Sequence, residues 1–303
     1  MQPRHFLLVV LAATLWGGGG VAGKLLADHA QMDPVSIAMW RLIVAGLALM
    51  AYLAVRGHLR LRRMTRPMWV RAALTVGFTA VFEVTFFSAI SLSSVGLSTL
   101  IAIGSAPVFV ALYDWATSRL TPPPLTIGAL ILALVGVGLL LGGSLDGGRN
   151  AVVGALLALT TGISFAAVSV VNRRQIPGLP PVLLTGVGFT LGGLMLVPFA
   201  VLAGLDVATD MVGWSLVLLM GVVMTGFAYI AYLSGLVTVP PFVATIVALL
   251  EPLIAAVLGA IIFSEVLGLS GILGGVILGT AVVLLRPQRD APAPVREAPT
   301  MVD

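Results

Sequence analysis

The chain has 303 residues, 59% of them hydrophobic and only 9% charged, with a formal net charge of +4 and a mean hydropathy of +1.12. A water-soluble domain carries about a quarter charged residues and under half apolar ones, so the composition excludes a soluble globule. The sequence contains no cysteine, which excludes disulfides, thiol catalysis, zinc–cysteine sites and iron–sulfur ligation.

Taken in chain order, ten apolar stretches predict spans at 6–27, 34–55, 69–91, 94–116, 124–143, 151–172, 181–203, 212–235, 240–263 and 268–286. Each can cross about 30 Å of hydrocarbon at about 1.5 Å per residue. The runs are continuous rather than alternating, which selects helices over a barrel as the structure that satisfies the backbone in lipid. Arg4 ahead of the first stretch suggests a signal peptide, but no small-residue cleavage site follows before Lys24, so the segment reads as a retained helix. His5, His29 and His58 fall in or beside polar connections, and the segment from Pro287 to Asp303 is rich in proline and charge and reads as a disordered tail.

The basic residues set the orientation. If the N-terminus is cytoplasmic, thirteen of the sixteen lysines and arginines lie on cytoplasmic connections and flanks, Lys24 and Arg149 lie outside, and Arg41 lies within a span. That asymmetry predicts both termini inside, and it explains the positive charge without nucleic acid.

The two halves resemble each other. FFSAISLSSVGLSTLIAIGSAPVFVAL at 86–112 aligns with AYLSGLVTVPPFVATIVALLEPLIAAVL at 231–258, setting Pro107 against Pro252. Gly128 and Gly136 match Gly271 and Gly279, and ATLWGG at 13–18 runs parallel to TGISFA at 161–166. Five spans per half is an odd number, so a second copy enters from the opposite face. The expected fold is all-α, ten transmembrane helices as two inverted five-helix repeats, at 1–147 and 148–286, followed by a cytoplasmic tail at 287–303. Inverted repeats supply two opposite states of similar energy, as alternating access requires.

Ionisable residues within spans are costly, about 2.5–3.5 kcal/mol at a helix centre, so each is a functional candidate. Glu251 precedes Pro252 in mid-span. Proline removes a donor and frees the carbonyl of Ala248, and a carboxylate at such an opening could bind a substrate ammonium, a proton or a cation, or pair structurally with an arginine. Glu83 lies among Phe78, Phe82, Phe86 and Phe87, a setting for a ligand with a cationic end and an apolar body. The alternative is that the phenylalanines face lipid while Glu83 pairs with Arg41 or Lys24. Arg41 reads as a structural ion-pair partner, Asp114 as a gate or interfacial pair, and Lys24 as snorkelling at the outer boundary. Trp16 and Phe165 would meet near the midplane, where Tyr229 and Ser164 could add an aromatic wall and a hydroxyl. Pro107 and Pro252 read as hinges.

Two motifs mislead. Gly18-Gly19-Gly20-Val21-Ala22-Gly23 has the form G-x-G-x-x-G but lies in an apolar span without a preceding strand. Gly268-Leu269-Ser270-Gly271 resembles an intramembrane nucleophile motif, but no histidine in any span could serve as its base. Close helix contact through Gly19/Gly23, Gly138/Gly142 and Gly188/Gly192 is the better reading of those glycines.

Trp16-Gly17, Arg41, Ala106-Pro107, Asn172-Arg173-Arg174, Glu251-Pro252 and Ser264-Glu265 stand in an order that resembles the drug/metabolite transporter superfamily. The likeness is to its ten-helix EamA-type branch, and within it to the YddG-type amino-acid exporters, over residues 5–286. Ser118-Arg119-Leu120 departs from the pattern, where the family often has a glutamate before Arg-Leu. The resemblance implies a secondary transporter of the bacterial inner membrane, not an enzyme, that exports neutral or aromatic amino acids or related metabolites. Its substrate contacts would be Trp16, Phe82, Glu83, Phe86, Ser164, Phe165, Tyr229 and Glu251. It needs no cofactor, metal or nucleic acid, sits among membrane lipid and works as a monomer; export of drugs or flipping of a lipid-linked substrate is the rival expectation.

Overall fold

A computed structural model describes residues 1–59, 61–93, 95–119, 121–142, 150–264 and 268–287. Arg60, Leu120, Arg149, Glu265 and the expected tail after Pro287 lie outside the described residues. Every regular element among those described is helical. The first seven are α1 (Pro3–Ala30), α2 (Pro34–Val55), α3 (Arg66–Leu92), α4 (Val95–Ser118), α5 (Pro124–Leu141), α6 (Ala151–Asn172) and α7 (Pro181–Ala203). The eighth span runs as α8 (Met211–Leu218), a π-helical segment (Leu219–Phe227) and α9 (Ala228–Gly235), and the ninth as α10 (Pro241–Ala248) and α11 (Leu250–Ile262). Nine described helical stretches are long and apolar enough to cross a membrane. The last, α12 (Leu269–Leu284), is apolar but has 16 residues, shorter than the 268–286 expected.

Local chemistry explains where the helices begin. Proline stands in the first turn of α1, α2, α3, α5, α7 and α10, where its missing N–H costs no helical bond. Asp33 caps α2 by accepting from the Val35 N–H at 2.8 Å, and Asp210 caps α8 by accepting from the Gly213 N–H at 2.8 Å. The helix α1 starts three residues earlier than its apolar stretch, which brings His5 inside it. There His5 is buried, and its Nδ1 lies 2.9 Å from Thr238 Oγ1.

The packing is reciprocal between the halves. In the first half α1 packs on α9 and α11, and in the second α6 packs on α3 and α4. The pairs α2–α7 and α5–α12 join helices that hold the same place in each half. The tight glycine contacts differ from those the sequence suggested. Nothing lies within 4 Å of a Cβ built on Gly138 or Gly142, and those on Gly188 and Gly192 make only ordinary contact. The close approach on α5 is instead Gly136, whose Cβ would lie 2.8 Å from the Gly274 carbonyl of α12. The reason is helical phase: Gly136 is the α5 glycine on the α12 face.

Candidate functional site

At its middle the bundle encloses a cavity of about 340 Å³. From its deepest part, at Trp16, Phe165 and Tyr229, it extends along α1 to Ala27 and along α2 to Pro34, and so toward the end of the bundle at the α1–α2 connection.

An aromatic cluster forms the floor. Trp16 is 5.9 Å from Phe165, 5.1 Å from Tyr229 and 5.2 Å from Tyr232 by ring centroids. Phe82 stacks on Phe86 at 5.7 Å and reaches Phe165 at 6.2 Å. These distances fall within the range where aromatic pairs are attractive. Beneath the floor, the Tyr232 hydroxyl and Ser169 Oγ share a hydrogen bond of 2.7 Å. The indole Nε1 of Trp16 is buried with no hydrogen-bond partner among the described residues.

Charge enters the cavity from four helices, with Lys24 of α1, Arg41 of α2, Glu83 of α3 and Glu251 of α11 on its lining. Arg41 of α2 forms an ion pair with Glu83 of α3. Glu83 is 2% exposed, and its second oxygen, Oε2, has no hydrogen-bond partner among the described residues. Removing Arg41 would leave the buried Glu83 charge uncompensated. Glu251 arrives by a different device. Pro252 has no N–H to offer the Ala248 carbonyl, and the helix breaks at Leu249, whose N–H turns back to Ile246 at 3.1 Å. Glu251 thereby falls in the first turn of α11, where the helix dipole favours a carboxylate. The helix α1 presses on this break at Gly17, whose Cβ would lie 2.6 Å from the Glu251 carbonyl and 2.7 Å from Ile254 Cβ. Only a residue without a side chain fits there.

Of the residues the sequence singled out for substrate, Trp16, Phe82, Glu83, Phe86, Phe165, Tyr229 and Glu251 all line this one cavity, with Arg41 among them. Ser164 does not. It is 2% exposed, and its hydroxyl donates to the Thr160 carbonyl at 2.9 Å within its own helix. Pro107 lies inside an unbroken α4, unlike Pro252. Lys24, expected at the boundary, lines the cavity, with its Nζ 4.2 Å from the Phe263 ring centroid. Sequence reasoning missed Met220 and Met224, which the π-helical segment carries to the cavity wall. The glycine pair Gly221 and Gly226 within an apolar run was the available signal. Such wide turns concentrate at functional sites.

The opposite end of the bundle is closed. Asp114 Oδ1 at the end of α4 accepts from Arg173 Nη1 at 2.8 Å, and the Arg173 guanidinium lies 5.6 Å from the Tyr113 ring. Arg71 donates to the Arg174 carbonyl at 2.7 Å, and the main apolar core, including Val9, Val110, Ile246 and Leu249, fills the space between these contacts and the cavity.

The model of the EamA-like transporter family matches residues 4–142 and 152–286. An uncharacterized transporter of Bacillus subtilis, YwfM, is 30% identical over 95% of this chain and 96% of its own length. An uncharacterized inner membrane transporter of Salmonella typhimurium, YicL, is 28% identical over 93% of this chain and 95% of its own. A crystal structure covering 94% of the chain superposes with a TM-score of 0.79 at 17% identity, a likeness of fold.

Proposed function

The chain belongs to the EamA-like transporter family, and from that premise we propose that it is an inner-membrane secondary exporter of neutral or aromatic amino acids or related metabolites. It works without cofactor or chemical catalysis, as a monomer, by alternating access. The single observation that carries the reading is the central cavity, where an aromatic floor meets two carboxylates and two cationic groups. A zwitterion with an apolar side chain matches that lining: its ammonium faces Glu251 or Glu83, its carboxylate faces Lys24, and its side chain rests on Trp16, Phe82, Phe86, Phe165 and Tyr229. A cavity of about 340 Å³ with an aromatic floor suits a small solute over a lipid-linked sugar.

The reciprocal helix pairing and the family model's two stretches support a repeat of two five-helix units, at 1–147 and 148–286. With five crossings each, the units would be inverted. The excess of arginine at the closed end supports an N-terminus and C-terminus in the cytoplasm, so the cavity opens outward and Asp114–Arg173 closes the inner side. Exchange between states requires the ninth span to flex at Pro252, with Pro107 as its counterpart in the fourth.

Counterflow in liposomes tests the proposal. Vesicles holding the purified protein are preloaded with one amino acid and offered labelled phenylalanine, tryptophan or leucine outside, without an ion gradient. Accelerated uptake of the label is the expected result. Uptake no faster than in empty vesicles for every amino acid would overturn the substrate assignment.

A further inference from the structure

Glu83 lines two cavities. The second, of about 320 Å³, lies between α2, α3 and α7 on the other side of Glu83 from the aromatic floor. It shares Pro34, Phe87 and Ile90 with the central cavity. Its inner wall is Ala38, Glu83 and Leu196, all buried, and its rim carries Ser91, which is exposed, and Phe199, which is 47% exposed. Phe199 sits four residues before the end of α7, about 6 Å inside the apolar span at 1.5 Å per residue. Asp33 and Ser91 stand at the ends of α2 and α3, so the rim runs from the end of the bundle at the α1–α2 connection down to the half-exposed Phe199 one turn inside the apolar span. The cause lies in the packing, since α2 is bound closely to α7 but scarcely meets α3.

The polar lining of this groove is Asp33, Glu83, Ser88 and Ser91, with no lysine, arginine or histidine among the described residues that line it. Arg41 holds Glu83 Oε1 from the central cavity, and the buried Oε2 has no hydrogen-bond partner among the described residues. Glu83 shares one oxygen with Arg41 and Asp33 caps α2, but the described lining on the groove side brings acceptors and no cation; behind an apolar rim such a lining disfavours an anion and rewards a donor that arrives with its own apolar body. A phospholipid would bring its phosphate against Asp33 and Glu83. We propose that the groove is a side entrance from the membrane to Glu83, and that its ligand is an amphiphilic amine, an ammonium on a single apolar tail. The ammonium reaches Glu83 and the tail lies along Val84, Leu196 and Phe199. The proposal deepens the transport reading by giving Glu83 a second approach, and it stands or falls by occupancy and not by flux.

The native chain has no cysteine, so S88C or S91C in lipid nanodiscs reports on the groove alone. The rate of modification by N-ethylmaleimide is measured with and without dodecylammonium, dodecanol and dodecyl sulfate. Dodecylammonium is expected to slow the reaction by at least about tenfold, equivalent to about 1.4 kcal/mol of occupancy, while the alcohol and the sulfate leave it within about twofold. In S88C/E83Q the protection is lost. Because E83Q breaks the ion pair with Arg41, S88C/R41Q/E83Q, which removes both members of the pair, is measured beside it and also loses protection. Equal slowing by all three amphiphiles, slowing by none, protection that survives both carboxylate variants, or a cysteine that never reacts would each overturn the proposal. Counterflow of labelled amino acids, measured separately in liposomes, tells failure of this proposal apart from failure of the transport reading.

Discussion

The fourth and ninth spans carry proline at matching places, yet they differ in backbone. The helix α4 runs unbroken through Pro107, whereas the ninth span divides at Leu249, just ahead of Pro252. What precedes the proline differs too. Ala106 is fully buried in the apolar core, while Glu251 lines the cavity and its carbonyl lies against Gly17 of α1. A proline therefore does not fix the outcome alone, and neither does a pressing helix: a Cβ on Gly162 of α6 would lie 2.6 Å from the Ala102 carbonyl of α4, and α4 stays unbroken. One half supplies a continuous wall and the other an opening with a charge in it.

The contrast can be broken in graded steps. The largest effect belongs to Arg41→Gln, which strands Glu83 beside the opening. Loss of the partner of a buried charge costs about 3–5 kcal/mol, so the variant should lose most of its thermal stability in detergent, and Arg41→Gln/Glu83→Gln should recover part of it. Next, Gly17→Val forces a side chain onto the Glu251 carbonyl and Ile254. Overpacking of this kind costs about 1–3 kcal/mol, and a lowered melting temperature with lost counterflow is expected. Pro252→Ala lets the ninth span close its hydrogen bonds; flux should fall by about tenfold, with Pro107→Ala changing it by less than about threefold, if flexing at the break limits exchange. Equal effects of the two proline variants would erase the distinction drawn here.

The smallest effect concerns the rim. His29 Nε2 lies 2.6 Å from Asp210 Oδ2, and the hydrogen bond from His29, with that from the Gly213 N–H, holds the Asp210 carboxyl below its ordinary range. A carboxyl lowered in the folded state stabilises above its unfolded value, near pH 4, and loses that contribution as pH falls through the folded value. Asp210→Asn should remove this acid-side slope from a melting-temperature profile, with little change at neutral pH, because the pair is exposed.

Much of the fold was legible because a bilayer leaves few choices. Runs of about twenty apolar residues must be helices in lipid, and the described helices follow them to within a few residues, with the first-turn prolines marking six starts. The shortness of α12 and the π-helical segment were not legible. Both depend on how turns settle against neighbours; the pair Gly221 and Gly226 permits a wide turn in Leu219–Phe227 but does not demand one. For the candidate site, the cost of charge in hydrocarbon singled out Arg41, Glu83 and Glu251, and the structure places all three on one cavity. Ser164 shows the limit of that reasoning: a hydroxyl in a span can satisfy itself on the carbonyl one turn back. The groove beyond Glu83 left no mark in the sequence, because it arises where two helices fail to meet.

In the proposed transport cycle the cavity between Trp16 and the α1–α2 end is the substrate path. Gly20 lines it, and a Cβ there meets nothing within 4 Å, so G20C places a reporter in the path with little disturbance of packing. The direct measurement is the rate at which a membrane-impermeant thiol reagent modifies G20C from outside oriented vesicles, with and without a transported amino acid. The account predicts ready modification from that side and slowing of about tenfold at saturating substrate. A cysteine modified at the same rate whatever amino acid is present, or reached only from the inside, would contradict it.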